Sequence, residues 1–317
     1  MTAGGSDLPA ALPARDPRGH KGTFGTVLVV GGCSVGTRRM IGAPALTAIG
    51  ALRAGAGLAR LLVPRPILEA AITIAPSTTG HALEVDDNGA IIPHLAAESF
   101  DRHSVDAQSI VIGPGLGEAP GVESLTLRAV MQMDAPVVVD ADALNALASM
   151  PDITRDVRAR AILTPHPGEY RRLADSLSIR HDAVDPTTRA AAADALAQRL
   201  GVIVALKGPQ TIVSDGHRTW TCGLICPALA TGGTGDVLAG VIAGLVAQFV
   251  PPLAFLRLPK RPAGKPLDLW EATCLAVQAH AIAGQAWSVK HKATGGLLAT
   301  ELADEIPEAL ERLRSPN

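Results

Sequence analysis

The sequence has few aromatic residues: its 317 positions include four phenylalanines, three tryptophans and one tyrosine. A hydrophobic core must therefore be built from Ala, Val, Ile and Leu. With 47% hydrophobic and 18% charged residues, the composition excludes an intrinsically disordered chain. The length would allow two domains, but single α/β domains of this size are common.

A large excess of charge and a dense set of cysteines are also absent. Lys and Arg number 28 against 30 Asp and Glu, so the net charge is −2, which argues against a nucleic-acid partner held by bulk charge. Four widely spaced cysteines exclude a disulfide framework and favour a reducing, cytoplasmic setting. They are Cys33, Cys222, Cys226 and Cys274.

No hydrophobic run is long enough to cross a membrane. The longest uncharged apolar stretch follows Asp236 and ends at Pro251, short of the ~20 residues that a spanning helix needs. The first 22 residues lack a basic segment followed by an apolar one, so we expect no signal peptide and no membrane partner.

Short β-branched runs alternate with longer Ala- and Leu-rich segments, which predicts a mostly parallel sheet with helices on both faces. The predicted strands are residues 26–30, 58–63, 109–112, 136–140, 161–163 and 202–206. The predicted helices are residues 43–54, 122–133, 143–148, 186–200, 234–249, 269–289 and 296–312. Two further runs, 211–214 and 219–221, flank Asp215-Gly216 and predict a hairpin that extends the sheet.

Proline and glycine mark two segments outside this pattern. Residues 1–20 are rich in Pro, Gly and Ala, and we expect a loosely ordered N-terminal arm followed by one domain over 21–317. Residues 251–266 hold five prolines and four basic residues, which predicts an exposed loop between two helices.

Chemistry-bearing residues follow several predicted strands. They include Gly113 to Gly117, Asp140, the segment Thr-Pro-His-Pro-Gly-Glu at 164–169, and Lys-Gly-Pro-Gln-Thr at 207–211. Because ligands bind beyond the carboxyl ends of the strands in open α/β sheets, we expect these residues to share one cleft. A G-x-G-x-x-G fingerprint and a G-x-x-x-x-G-K-[ST] loop are both missing, which argues against a Rossmann dehydrogenase and a P-loop NTPase.

The segment from Thr231 to Asp236 is the strongest site signal. Gly232, Gly233 and Gly235 precede or open a predicted apolar helix, where uncovered backbone N–H groups can bind phosphate. Gly233, Thr234 and Gly235 are therefore a candidate anion hole. Asp236, in the first turn, could accept a proton from a substrate hydroxyl. The alternative is a tight turn in which Asp236 is only a helix cap.

Taken in order, the motifs resemble those of the ADP/ATP-dependent NAD(P)H-hydrate dehydratase family, of the ribokinase-like superfamily. The resemblance covers roughly residues 20–312. The motifs are KGTFGT, VLVVGG, Gly42-Ala43, ALRAGAGLARLLVP, IGPGLG, VVVDADALN, ILTPHPGE, LKGPQT and GGTGDVLAG. The resemblance implies a ribokinase-like three-layer α/β/α fold with a mostly parallel central sheet.

The resemblance implies repair of NADH or NADPH that carries a hydroxyl at C6 of the nicotinamide ring. The hydroxyl would be phosphorylated by ADP or ATP and then eliminated as phosphate. It also implies Mg²⁺ as cofactor, with no direct protein ligand assigned. NADH hydrate or NADPH hydrate and an adenine nucleotide would be the small-molecule partners, and ADP is the usual co-substrate of bacterial-type members.

The resemblance also assigns binding residues. Those implied for the hydrate are Ala43, Gly117, His166 and Asp236. Those implied for the adenylate are Lys207, Gly208, Pro209, Gln210, Thr211 and Gly235. A homotetramer is a further implication, because known members of the family are often tetrameric. Because only about 20 residues precede the match, we expect no fused epimerase domain and a functional pairing with a separate NAD(P)H-hydrate epimerase.

One segment departs from the family pattern. A short Ser-x-x-Tyr-x-Gly-Ala stretch usually follows Gly31-Gly32. Here residues 33–43 are longer, lack the tyrosine and add Arg38 and Arg39. These arginines could reach a phosphate or could be solvated, and both alternatives stay open.

Other functions and simpler roles also remain open. A ribokinase-like small-molecule kinase would release a stable phosphate ester, and a non-catalytic adenylate sensor would bind without turnover. His166 and Lys207 could be ordinary loop residues, and Asp140 could cap a helix or touch Mg²⁺-bound water. A zinc site of Cys222, Cys226 and His217 is disfavoured because the C-x₂-C spacing is missing.

Overall fold

The computed structural model describes residues 8–251 and 266–314. Its centre is a nine-stranded sheet in the order β3-β2-β1-β4-β5-β6-β7-β8-β9, parallel from β3 to β7 and antiparallel from β7 to β9. The strands are β1 Thr26–Val30, β2 Leu58–Pro64, β3 Thr79–Leu83, β4 Ser109–Ile112, β5 Val137–Val139, β6 Ala161–Leu163, β7 Ile203–Leu206, β8 Ile212–Ser214 and β9 Thr219–Thr221.

Eleven helices are described in the same two stretches of chain. They are α1 Gly42–Arg53, α2 Leu68–Ile74, α3 Pro93–Ser104, α4 Pro120–Met131, α5 Asp142–Ser149, α6 Ile153–Asp156, α7 Pro167–Ser176, α8 Arg189–Leu200, α9 Thr234–Phe249, α10 Leu269–His291 and α11 Ala299–Arg314. Short 3₁₀ turns occupy Arg65–Ile67 and Pro227–Leu229.

The central strands are buried on both faces, and alternate residues feed two separate cores. In β1, Val27 and Val29 pack with helices α1, α9, α10 and α11, whereas Leu28 and Val30 pack with α3, α4, α5, α7 and α8. This period of two is what a strand between two helical layers requires. The predicted three-layer α/β/α architecture with a mostly parallel sheet is confirmed.

Helices α1 and α9 pack closely because small residues line their contact. A Cβ on Gly240 of α9 would lie 2.0 Å from the Thr47 carbonyl oxygen, and a Cβ on Gly50 of α1 would lie 2.6 Å from the Val237 carbonyl oxygen. Glycine at these positions lets the two backbones approach each other directly. The contact fixes the first turns of α9 against α1.

The boundaries of several elements differ from the predictions. Strand β5 excludes Pro136 and Asp140, so Asp140 lies just beyond the strand rather than in it. Helix α8 begins at Arg189 and not at 186. The edge strand β3 and helices α2, α3, α6 and α7 were not predicted, because they are short or amphipathic rather than continuously apolar.

The described part of the predicted N-terminal arm makes specific contacts with the domain. Leu12 is 3% exposed and its N–H donates to the Leu313 carbonyl at 3.2 Å. Arg15 donates to the Gly55 carbonyl at 2.8 Å and to Gln248 at 2.7 Å. Residues 12–15 are thereby tied to α9 and α11, where the sequence suggested a loosely ordered arm.

The predicted proline-rich loop at 251–266 lies almost entirely outside the described residues. Within the described ranges, none of the helices combines the length and the apolar character needed to cross a membrane.

Candidate active site

Asp236 lies in the first turn of α9, and the local sequence explains why the helix starts there. Gly233 has φ of 91°, a left-handed conformation that glycine adopts without strain, and Thr234 begins the helix. The Thr234 hydroxyl donates to the carbonyls of Leu229 and Thr231, each at 2.8 Å, which closes the preceding turn. The carboxylate is thus held at the positive end of the helix dipole.

Near this turn lies a cluster of charged side chains, the Lys207 cluster, formed by Lys207, Asp140 and Glu169. Lys207 follows β7 and its ammonium donates to Asp140, beyond β5, at 2.8 Å. Asp140 is 2% exposed and also accepts a hydrogen bond from the Thr164 hydroxyl, beyond β6, at 2.6 Å. Glu169 lies 3.8 Å from the ammonium. Three neighbouring strand ends therefore supply one hydrogen-bonded group, as the carboxyl edge of a parallel sheet allows.

Lys207 also faces the start of α9. A Cβ on Gly235 would lie 3.7 Å from the Lys207 Nζ. Burial alone would lower the pKa of Lys207, but the carboxylates of Asp140 and Glu169 outweigh it and raise that pKa. The lysine therefore stays protonated and places a positive charge beside the candidate anion hole.

Asp236 titrates near neutrality. Burial raises its pKa to about 7, and the charge of Asp140 adds to the rise, while Lys207 opposes it. Asp142 and Glu169 contribute smaller upward shifts. A carboxyl group with a pKa near ambient pH is suited to exchange a proton with substrate.

A cavity of about 740 Å³ opens beside this cluster and α10. Seven of the predicted site residues line it: His166, Lys207, Gly208, Pro209, Thr211, Thr234 and Gly235. Its remaining wall includes apolar and thiol side chains such as Leu229, Val277 and Cys226. An apolar wall joined to a lysine and a helix N-terminus is suited to a ligand with both a flat ring and phosphates.

His166 is the N-cap of α7 as well as a residue of this cavity. Its Nδ1 accepts hydrogen bonds from the N–H groups of Gly168 at 3.0 Å and Glu169 at 3.3 Å, and the Glu169 carboxylate accepts from the His166 N–H at 2.8 Å. The ring is held in place, while half of the side chain remains exposed to a ligand.

His280, in α10, forms a hydrogen bond to the first turn of α9. Its Nε2 lies 2.9 Å from the Thr234 carbonyl, and burial lowers its pKa to about 4. The ring is therefore neutral at physiological pH and Nε2–H is the donor. His280 has no metal-like spacing in the sequence, and its structural role depends on a contact between α10 and α9.

Ala43 and Gly117, which were predicted to bind the hydrate, do not line the larger cavity. The Gly117 N–H donates to Asp142 at 2.8 Å, and Gly117 and Asp142 line a second cavity of about 320 Å³. A Cβ on Gly115 would lie 3.2 Å from the Ala43 Cβ, which places Ala43 beside the same glycine loop. The charges of Lys207 and Asp142 both shift the pKa of Asp236; Lys207 lines the larger cavity and Asp142 the smaller one, whereas Asp236 lines neither.

The segment 33–41 folds over the same loop. Cys33 and Met40 pair their backbones, and a Cβ on Gly117 would lie 3.1 Å from the Cys33 sulfur. Arg39 donates to the carbonyls of Ser34, Gly36 and Arg38. These three hydrogen bonds, all from Nη1 of an exposed side chain, help to hold the segment in its conformation.

Gln210 and Gly233 adjoin the larger cavity in sequence but are not part of its lining. Four further residues near the site had no predicted role: Thr164, Glu169, Arg189 and His280. Only Glu169 had a readable signal, because Glu three residues after a candidate N-cap is typical of a capping box.

The disfavoured zinc site receives no support from the contacts of its residues. Cys222 lies 3.5 Å from Gln278 and Cys226 lies 3.6 Å from Ser288. Among the described residues, no group of three or more His, Cys, Asp or Glu side chains is placed to hold a metal ion. Mg²⁺ commonly keeps waters and binds through substrate phosphates, which needs no such group.

Comparison with known proteins identifies relatives over nearly the whole chain. A sequence model of the family described as NAD(P)H-hydrate dehydratase matches residues 27–308. The bifunctional NAD(P)H-hydrate repair enzyme Nnr of Salinibacter ruber is 37% identical over 306 residues, which are 95% of this chain and 51% of that protein. The chain spans about half the length of the curated relatives it matches.

Solved structures agree with this relationship. The ADP/ATP-dependent NAD(P)H-hydrate dehydratase of Bacillus subtilis, co-crystallised with ATP and Mg²⁺, superposes with a TM-score of 0.72 at 29% identity and covers 96% of this chain and 95% of that one. Ribokinase of Giardia lamblia, at 13% identity and a TM-score of 0.54 over 91% of this chain and 99% of its own, shares the fold. The match of the family model over most of the domain, together with these relatives, shows that the chain belongs to the NAD(P)H-hydrate dehydratase family.

Proposed function

We propose that this protein converts the C6 hydrate of NADH or NADPH back to the dinucleotide, using ADP or ATP as the phosphoryl donor. The observation that carries the proposal is the position of Asp236. Its partly buried carboxyl lies in the first turn of α9, where the charges of Lys207 from the larger cavity and of Asp142 from the smaller cavity both shift its pKa.

The two cavities suggest how the substrates are divided. The larger cavity would take the adenine nucleotide against the 207–211 segment, since it combines an apolar wall with a lysine. The hydrated nicotinamide ring would lie on the side of Ala43 and Gly117, with His166 at the border. Asp236 would then face both reacting groups, the ring hydroxyl and the terminal phosphoryl.

The proposed reaction begins with proton transfer from the C6 hydroxyl to Asp236. The hydroxyl oxygen attacks the terminal phosphorus of ADP, and the bond from that phosphorus to the AMP oxygen breaks. The ring nitrogen lone pair then expels phosphate from C6, and loss of a C5 proton restores the dihydropyridine. Phosphorylation matters because phosphate leaves readily and hydroxide does not.

The protein contributes positioning and charge stabilisation to this reaction. The N–H groups of the Gly233–Gly235 turn and the Lys207 ammonium would stabilise the negative charge on the transferred phosphoryl group. Mg²⁺, carried on the nucleotide phosphates, would supply further charge neutralisation. The Asp140 and Glu169 carboxylates hold Lys207 in place for this role.

The first experiment measures recovery of the NADH absorbance band. Purified protein is mixed with NADH hydrate and Mg²⁺, with ADP and ATP in parallel reactions. We expect recovery only with nucleotide present, and AMP as the product from ADP. Recovery without nucleotide would contradict the coupling, and a stable phosphate ester with no NADH would favour the small-molecule kinase instead.

Binding without turnover in every arm would favour the adenylate sensor. A homotetramer, pairing with a separate epimerase and a cytoplasmic location stay predictions, and size-exclusion chromatography with light scattering tests the first of them.

A further inference from the structure

Arg189 is a buried cation at an electrostatically unfavourable position. It is the first residue of α8, where the helix dipole is positive, and it is 8% exposed. No carboxylate among residues 8–251 and 266–314 forms an ion pair with it. Burial lowers the pKa of Arg189, but an arginine remains charged at neutral pH.

The guanidinium holds the chain where β7 passes into the segment predicted to bind the nucleotide. Its Nη2 donates to the Leu206 carbonyl at 3.3 Å and to the Lys207 carbonyl at 3.2 Å. Its Nε has no hydrogen-bond partner in the described part of the chain. The arginine therefore hydrogen-bonds to main-chain carbonyls of this segment and not to a side chain.

The next residue along, Gly208, touches the same guanidinium. A Cβ on Gly208 would lie 2.2 Å from Nη1 and 2.4 Å from Nη2 of Arg189. Gly208 does not have a left-handed φ, so its backbone conformation alone would accept alanine. The guanidinium is the obstacle to a side chain at this position.

These contacts point to a function, because burying a cation without a counter-ion costs free energy that packing alone would not justify. Lys207 and Gly208 line the larger cavity, and Arg189, which holds their main chain, is not part of that lining. We infer that Arg189 is a positioning residue for the nucleotide: it fixes the main chain of Leu206, Lys207 and Gly208 so that this wall and the Lys207 ammonium meet the phosphates. This inference rests on the proposed function.

The first test compares ADP binding by calorimetry in wild type, Arg189→Met and Arg189→Lys. Met keeps the apolar bulk and removes the donors, whereas Lys keeps the charge and part of the hydrogen bonding. We expect Kd to rise about tenfold or more in Arg189→Met, as for lost hydrogen bonds from a charged group, and a smaller rise in Arg189→Lys. The KM for hydrate should change much less than the KM for nucleotide.

Arg199→Met is the matched control, since Arg199 lies exposed in the last turn of the same helix. Its ADP affinity should equal that of wild type, and an equal loss in this variant would overturn the inference. Melting curves of all variants separate loss of fold from loss of affinity.

A double-mutant cycle with Gly208→Ala gives a second test, and the single variant Gly208→Ala keeps the inference testable even if Arg189→Met folds poorly. The added methyl should displace the guanidinium in wild type and weaken ADP binding. In the Arg189→Met background the obstacle is gone, so the same substitution should cost much less. Strictly additive effects would show that the two residues act independently and would contradict the inference.

The outcomes distinguish this inference from the proposed function. If wild type binds no adenine nucleotide, the proposed function fails. If wild type binds ADP and restores NADH while Arg189→Met binds ADP equally well, only the role of Arg189 is wrong.

Discussion

At the scale of single residues, Asp236 must be ionised to act as a base, although its surroundings favour the protonated form. Its pKa is raised to about 7, so the base form predominates only above that pH. We expect kcat/KM for the hydrate to fall about tenfold per pH unit below neutrality, as one ionising group requires. A pH–rate profile of the free enzyme checks this, and a flat profile from about pH 5 to 8 would exclude Asp236 as the group controlling the rate.

Asp236→Asn separates the proton acceptor from the helix cap. Asn keeps the shape and capping capacity of Asp but cannot take the proton. We expect kcat to fall by ~10²–10⁴, with ADP affinity nearly unchanged. Turnover and calorimetry on one preparation measure both quantities, and near-normal kcat in the folded variant would remove the proposed base.

The same substitution should also change stability in a pH-dependent way. Because the folded-state pKa of Asp236 lies above the unfolded value, its contribution to stability is complete at acid pH and is lost as pH rises through about 7. Asp236→Asn should therefore melt at a higher temperature than wild type at about pH 8, with the difference shrinking toward pH 4. Melting curves across this range give the sign directly.

At the scale of elements, the contact between α1 and α9 holds the first turn of α9, which carries Asp236, in place. Gly240→Ala would drive a methyl group into the Thr47 carbonyl, and we expect a loss of about 1–3 kcal/mol in the free energy of unfolding, as for overpacking. Gly42→Ala, at the open start of α1, is the control and should cost nothing. Urea titration measures both variants, and equal stability of Gly240→Ala and wild type would show that the helices can move apart.

Elements with continuous apolar runs could be predicted from the sequence, and those that depend on tertiary contacts could not. Strand β1 and helix α9 match their predicted bounds because Val27–Val30 and the residues from Val237 onward are apolar on every side. Helix α7 was missed because it is short and mostly polar, although Tyr170, Leu173 and Ala174 recur at helical spacing and Glu169 marked its start.

The residues of the candidate site likewise divide into those that local motifs predicted and those that depend on tertiary contacts. Motifs placed Lys207 and Asp236 at strand and helix ends, and the fold brings these ends together. The hydrogen bond from Thr164 to Asp140 and the guanidinium of Arg189 under Gly208 depend on which elements become neighbours in space. Local sequence does not encode that information.

At the scale of the whole molecule, the N-terminal segment acts as part of the helical layer. Leu12→Ala should lower the free energy of unfolding by about 2 kcal/mol, because Leu12 is 3% exposed and its loss leaves a cavity beside α11. Leu298→Ala, at a position 60% exposed, should change it little. Equal values for the two variants would mean that the segment adds no packing energy.

The sheet order has a consequence for the time course of folding. The site combines four residues from separate segments of chain: Asp140, Thr164, Lys207 and Asp236. The face of α1 that carries Gly50 is covered only when α9, nearly 200 residues later, packs against it. Parallel strand pairs such as β1 and β4 are also far apart in sequence. Forming these contacts closes large loops at an entropic cost, so folding should be slow. During synthesis, the site can assemble only after the ribosome has made the chain through α9. In refolding from urea, turnover should therefore return only with the slowest phase.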